Sequence, residues 1–251
     1  HGTDRDNTRV VMRVQFPGGR PPDTANIHWR VMAFNRFDGT RWHRDTPSDP
    51  AELADTSIPD DMPKSVLDPS LRKAVVSLRG LNTAYVPVVW PTAYVKPTDD
   101  KAPMLPAWHG YDLKDDSNGN LSRSDNDEES NFRYRLGWWR EPPTRNESVK
   151  LDPSMRKRFT QMPDISERTK ALAQRIVGDA TDRREKVNRI VDYLSQNFEY
   201  SVSAPQNQTP KGLENFLFER KQAHCEYFAT AAAVLLRIVD VPVRLVNGFL
   251  G

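Results

Sequence analysis

The chain has a single cysteine, Cys225, among its 251 residues. One thiol excludes an intramolecular disulfide and any Cys-rich zinc site, and leaves two roles, a buried core thiol or a nucleophile. Long apolar runs are missing as well. The longest, Ala231 to Val243, is interrupted by Arg237, Asp240 and Pro242, and falls short of the roughly 18 apolar residues that a membrane-spanning helix needs. Nor does either charge dominate: 36 basic residues against 34 acidic ones leave a formal charge of +2. That is too little to track a phosphate backbone or an anionic membrane surface, so nucleic acid is not an expected partner. His1 to Thr8 lack the charged start, apolar run and small-residue cleavage site of an export signal. Composition by itself assigns no compartment.

What is present suffices for a folded chain. Hydrophobic residues make up 37% and there are 20 prolines, a balance that fits a soluble protein with long surface loops. The length suits two modest domains. From Arg9 to about Trp139 the signals are those of strands: Arg9 to Phe16, His28 to Phe37, Ala74 to Leu78, Ala84 to Trp90 and Phe132 to Trp139. Asp38-Gly39 predicts a hairpin that resumes at Trp42, because this dipeptide tolerates the positive φ of a tight turn. Asn118-Gly119 predicts another between Tyr111 and Ser122. The stretches Thr46 to Pro69 and Asp115 to Ser130, rich in Pro, Asp, Ser and Asn, read as surface loops. No internal repeat is found.

Near Leu151 the pattern changes to helices, which sets the expected boundary between residues 1–150 and 151–251. Asp164 followed by Glu167 reads as a capping box opening a helix from about Ile165 to Val177. Thr181 or Asp182 caps a second helix with Val187, Ile190, Val191 and Leu194 along one stripe, ending before Phe198 and Tyr200. A short helix is expected at Gly212 to Phe218. A longer one runs from Cys225 to about Val239, apolar nearly all round and therefore buried. Pro242 ends it, and Val243 to Leu250 reads as a core strand. The fold class expected is α+β, with a β-rich N-terminal domain followed by a helical part.

Cys225 falls in the first turn of that buried helix, directly after Arg220 and Lys221. A thiol there feels the positive end of the helix dipole, which favours the thiolate, and the backbone N–H groups can bind an oxyanion. A single cysteine is more commonly a small buried hydrophobe, so position alone leaves both roles open.

The surrounding residues go further. Phe216-Leu217-Phe218-Glu219-Arg220-Lys221-Gln222-Ala223-His224-Cys225-Glu226-Tyr227-Phe228-Ala229 resembles the nucleophile motif of bacterial transglutaminase-like proteins. The match continues through Leu235-Leu236-Arg237 and Val241-Pro242-Val243-Arg244 to Asn247-Gly248-Phe249. Upstream, Phe34-Asn35-Arg36-Phe37-Asp38-Gly39-Thr40-Arg41-Trp42 is similar to a strand-turn-strand signature in the extracytoplasmic β-domain of TgpA-like membrane-anchored members. The resemblance implies the helical half of a papain-like transglutaminase core, with Cys225 attacking a glutamine carboxamide. It implies no cofactor, a protein or peptide substrate bearing glutamine side chains, an amine acceptor, a periplasmic location and flanking membrane helices. Two departures stand out. Ala223 replaces a usual glycine, and the family's His and Asp belong to strands beyond Gly251, so the chain as given is expected to be inactive.

Among other candidates, His224 adjoins the nucleophile but points elsewhere at a helix start, and reads as a packing or turn residue. Glu226 suits a helix N-terminus, and Tyr200 is either an oxyanion support or, more simply, a core aromatic. His28, His43 and His109 have no triad or ligand spacing, and no metal site is supported. Asp115 to Asn120 and Asp125 to Glu129 depart from the EF-hand loop and read as solvated hairpin loops. Asn146 and Asn207 sit in glycosylation patterns too short to be specific. The rival functions are a cysteine peptidase or amidase and, from a different class, a non-catalytic binding scaffold.

Overall fold

The computed structural model describes residues 10–17, 19, 27–45, 71–79, 84–98, 113–115, 120–123, 132–139, 153–202 and 212–250. The strands are β1 (Met12–Gln15), β2 (His28–Phe34), β3 (Arg36–Phe37), β4 (Trp42–His43), β5 (Leu71–Leu78), β6 (Val88–Val89), β7 (Thr92–Pro97), β8 (Leu113–Asp115), β9 (Leu121–Arg123) and β10 (Phe132–Trp139). Three more lie among the helices: β11 (Glu199–Tyr200), β12 (Gln222–Ala223) and β13 (Leu245–Leu250). The helices are α1 (Pro153–Thr160), α2 (Glu167–Val177), α3 (Arg183–Asn197), α4 (Gly212–Asn215), which runs on as a π-turn over Phe216–Arg220, and α5 (Cys225–Ile238). The class is α+β, β-rich before residue 150 and helical after it.

The described residues divide between two compact units. One draws on His1–Met32, Ser48–Val149 and Asn247–Gly251, the other on Ala33–Pro47 and Lys150–Val246. Residues 33–45, counted by sequence with the N-terminal domain, therefore pack with the helices.

In the first unit four strands form an antiparallel sheet in the order β1, β5, β10, β7. Alternation explains the pairing: on β5, Leu71, Ala74, Val76 and Leu78 are buried while the residues between them are not, as expected for a sheet with one apolar face. Trp29, Val76, Val88, Tyr134, Leu136 and Trp138 build the core. The Tyr134 hydroxyl donates to the Pro87 carbonyl, and burial pushes its pKa well up. A second sheet runs β13, β2, β6. There Gly248 meets the β2 backbone so closely that a Cβ would lie 1.7 Å from the Trp29 carbonyl oxygen. This strand was expected in the core, yet Val246 and Leu250 are exposed. β8 and β9 pair antiparallel around the expected second hairpin, whose Asn118-Gly119 turn lies outside the described residues. So do the loop from Thr46 to Pro69, most of the acidic segments, His109, Asn146 and Asn207.

The second unit shows how local signals were met or displaced. Asp182 caps α3, accepting from the Glu185 N–H at 3.0 Å. α2 starts later than its capping box suggested, because Ser166 and not Asp164 caps it, accepting from Thr169 N–H at 3.4 Å. On α3, Ile190 and Leu194 are buried but Val191 faces solvent. The helix α1 was not anticipated; eight residues with one buried side chain, Phe159, carry little periodic signal. α5 is the apolar element of the core, with Ala231, Val234 and Leu235 fully buried. It stops at Ile238, four residues before Pro242, through a turn in which Asp240 takes a φ of 61°. Lys186 Nζ donates to the Val239 carbonyl at 3.1 Å and satisfies that end.

The Asp38-Gly39 hairpin forms, with Arg36 opposite His43 and Phe37 opposite Trp42. Its loop is Asp38–Arg41: Asp38 Oδ1 accepts from the N–H groups of Thr40 and Arg41, both at 2.8 Å, and Gly39 takes a φ of 102°. His43 Nε2 lies 2.5 Å from Asp38 Oδ2, so this histidine serves the hairpin. The Arg41 and Thr40 N–H groups, then His43, hold the Asp38 carboxyl well below the usual carboxylate range.

Two measurements test this packing. A Cβ at Gly137 would lie 2.1 Å from Tyr94 Cε1, so Gly137→Ala is expected to cost about 1–3 kcal/mol in urea unfolding; a loss under about 0.5 kcal/mol would mean that the Tyr94 ring yields freely. Asp38, with a depressed folded pKa, contributes stability that is present above its unfolded value of about 3.9 and lost as pH falls toward the folded one. Asp38→Asn should therefore destabilise at pH 7, and its deficit should shrink below about pH 4; a deficit constant down to pH 3 contradicts the assignment.

Candidate active site

The segment leading to Cys225 turns from strand to helix. The π-turn at Phe216–Arg220 is closed by Lys221, in the left-handed region at φ 53°, whose N–H donates to the Phe216 carbonyl at 3.2 Å. β12 then runs parallel to β11, with Glu199 opposite Gln222 and Tyr200 opposite Ala223. The Glu199 N–H donates to the Lys221 carbonyl at 2.8 Å, and the Ser201 N–H to Ala223 at 2.9 Å. His224 stays extended at φ −86° and ψ 175°, and α5 begins at Cys225. The left-handed bend falls at Lys221, two residues before Ala223. Ala223 is a buried strand residue, and its Cβ causes no backbone strain there.

Cys225 is exposed at the first position of α5. The opening N–H groups of a helix lack intrahelical partners. The His224 side chain makes no capping bond to them, and Tyr227 N–H returns to the His224 carbonyl at 3.1 Å. Donors at the helix start and an exposed sulfur thus share one end of a rigid, buried rod. Aromatic rings stand beside it: Tyr200, 56% exposed, lies 6.5 Å from Phe228, which packs 5.1 Å from Phe216. Behind the bend a small cleft of about 10 Å³, open to solvent, is bounded by Asn215, Phe216, Arg220 and Tyr227.

The other residues singled out by sequence are placed differently. His224 is 8% exposed, its ring edge-on to Tyr227 at 5.1 Å and its Nε2 without a hydrogen-bond partner. It is the residue that precedes the helix and packs inward. Glu226 is exposed in the first turn, where a carboxylate complements the helix dipole. Tyr200 is a surface aromatic rather than a core one. His28 is exposed at the start of β2. Among the described residues no group of three His, Cys, Asp or Glu side chains gathers as a metal site.

Sequence reasoning missed the support of this helix. Trp42 Nε1 donates to Thr230 Oγ1 at 3.1 Å. Arg237, 3% exposed, donates to the carbonyls of Asn35 at 2.7 Å, Gln161 at 2.5 Å and Val243 at 3.2 Å, with its guanidinium 4.9 Å from the Trp42 ring. Burial pushes its pKa down to about 10, which leaves it charged at neutral pH. An arginine inside an otherwise apolar helix was the available signal, since a buried charge requires partners.

The chain thus presents an exposed thiol at the start of a buried helix within an α+β fold. Residues 2–145 match the TgpA N-terminal domain family and residues 170–251 the Transglutaminase-like superfamily, so the chain belongs to the TgpA-like group of transglutaminase-like proteins. It is 27% identical over 247 residues to a protein-glutamine gamma-glutamyltransferase of Pseudomonas aeruginosa, covering 98% of this chain and 33% of that protein. It is 37% identical over 97 residues to the uncharacterized protein YebA of Bacillus subtilis, covering 37% of this chain and 13% of that one. The chain thus spans a third or less of these relatives. The crystal structure of the periplasmic domain of TgpA from Pseudomonas aeruginosa superposes with a TM-score of 0.71 at 22% identity, over 98% of this chain and 76% of that one. The same domain bound to ethylmercury gives 0.69 at 21% identity, over 96% and 76%. These two likenesses establish the fold.

The placement of His224 is open to a direct test. His224→Phe keeps the ring and its packing, and should leave the rate of Cys225 alkylation by iodoacetamide within two-fold of the parent. A ten-fold fall would make His224 the base after all.

Proposed function

We propose that the protein of which this chain is part performs acyl transfer through Cys225. The observation that carries the reading is the exposed sulfur at the first position of a buried helix, within the segment that matches the Transglutaminase-like superfamily. The Cys225 thiolate attacks the carbonyl carbon of a glutamine carboxamide on a protein or peptide. Negative charge collects on the carbonyl oxygen, where N–H groups at the start of α5 stabilise it. Ammonia leaves with a proton from a general acid, a thioester to Sγ remains, and an amine attacks that thioester and releases the thiol. A histidine to transfer the proton and a carboxylate to orient it complete such a site, and likeness to the family assigns both to strands other than β1 to β13. Likeness to a periplasmic domain supports an extracytoplasmic site of action.

Incorporation of a fluorescent amine into a glutamine-containing protein tests this. A chain extended through the next His and Asp should turn over, this chain should be slower by about 10³-fold or more, and Cys225→Ala should be inactive. Equal rates for the short and extended chains would place the base among residues 1–251. Peptide cleavage without amine incorporation would favour a peptidase, and no turnover in any form a binding scaffold.

A further inference from the structure

Helix α5 is buried along its C-terminal half, while Cys225, Glu226 and Ala229 near its start are exposed, so core packing grips the start of the helix less than its end. Roll decides where Cys225 points. With Sγ about 4 Å from the helix axis, a roll of about 15° moves it about 1 Å, and a misplacement of that size costs about 10²-fold in rate. Some directional contact must fix the angle.

Besides the Arg237 bonds to Gln161 and Val243, two such contacts lie on one stripe and come from one element. Thr230 and Arg237 are seven residues apart, two turns less about 20°, so they lie one above the other along about 10.5 Å of helix. Both are held by the hairpin of β3 and β4. Trp42 Nε1 donates to Thr230 Oγ1 at 3.1 Å, and Arg237 Nη2 donates to the Asn35 carbonyl at 2.7 Å. The hairpin itself is closed tightly. Asn35 is 1% exposed, its Nδ2 donates to the Asp45 carbonyl at 3.0 Å, and its Oδ1 accepts the Asp45 N–H at 2.8 Å. Phe37 supports Trp42 from behind at 5.1 Å and is itself part of the helical core. Two polar bonds from one closed element to two points on one stripe resist rotation, which neither does alone.

We propose that this hairpin sets the roll of the nucleophile helix, and that Trp42 is a positioning residue for the acyl transfer proposed above, acting through Thr230. The inference rests on that reading. Trp42 touches no substrate; it aims the thiol at groups supplied from elsewhere in the protein. The thiol keeps its own helix terminus whatever the roll, so its intrinsic reactivity should not depend on Trp42.

The test uses the extended, active chain with Trp42→Phe, Thr230→Val, the two together, and Thr230→Ser, which keeps the acceptor oxygen. Trp42→Phe and Thr230→Val are each expected to lower kcat for amine incorporation ten-fold or more with KM within two-fold. Iodoacetamide should alkylate Cys225 at a rate within two-fold of the parent in every variant. The pair should be no slower than the slower single variant, since both remove one bond, and Thr230→Ser should stay near the parent. Unchanged kcat in either single variant, or multiplying losses in the pair, overturns the proposal while leaving acyl transfer standing. Altered alkylation in step with kcat would make the bond merely structural and overturn it as well. A parent without turnover overturns the acyl-transfer reading and this inference together.

Discussion

Arg237 is buried within an apolar helix and gives its guanidinium to carbonyls from three separate segments: Asn35 in the hairpin, Gln161 between α1 and α2, and Val243 after α5. None of these partners is a carboxylate, so the charge is compensated by oriented dipoles rather than by a counter-ion. The exchange benefits both sides. An unpaired guanidinium in this place would carry the full cost of desolvation, and so would buried carbonyls left without donors. One side chain thus joins three segments to the helix that bears Cys225, alongside the Val243 N–H bond to the Phe159 carbonyl and the Arg158 bond to the Asp45 carbonyl. The Trp42 ring under the guanidinium adds a face for the cation and a donor for Thr230.

The placement of Cys225 follows from the other end of that helix. A π-turn ending in a left-handed lysine, a two-residue parallel strand pair and an extended His224 bring the chain to α5 at an abrupt angle. Each step frees the next. Lys221 takes the strained conformation, so Ala223 can be an ordinary strand residue. His224 turns its ring inward onto Tyr227 and makes no side-chain capping bond at the helix start beside the sulfur. The exposed thiol is thus a consequence of where the strain is placed.

In the β-rich unit the controlling constraint is close approach. Gly137 admits the Tyr94 ring over β10, and Gly248 lets β13 meet the β2 backbone. A side chain at either place would occupy space already filled. The apolar alternation on β5 and β10 does the rest, by committing one face of the sheet to a core that Tyr134 and Leu136 complete.

What the sequence alone determined about this protein is what a window of a few residues can hold. Alternation marked β5 and β10, the Asp182 cap opened α3, Asp38-Gly39 made a hairpin, and Cys225 fell at the start of an apolar helix; each depends on neighbours in the chain. The capping box read at Asp164 was displaced to Ser166, because the residue that caps is the one whose oxygen reaches the Thr169 N–H. Only the tertiary structure decided that the hairpin packs with the helices, that β13 joins β2, and that Arg237 has its partners in hand. Those choices rest on bonds such as Arg237 to Asn35 and Trp42 to Thr230, 202 and 188 residues apart in sequence. No periodicity or cap encodes such a contact; it exists only once both ends have folded into the same core.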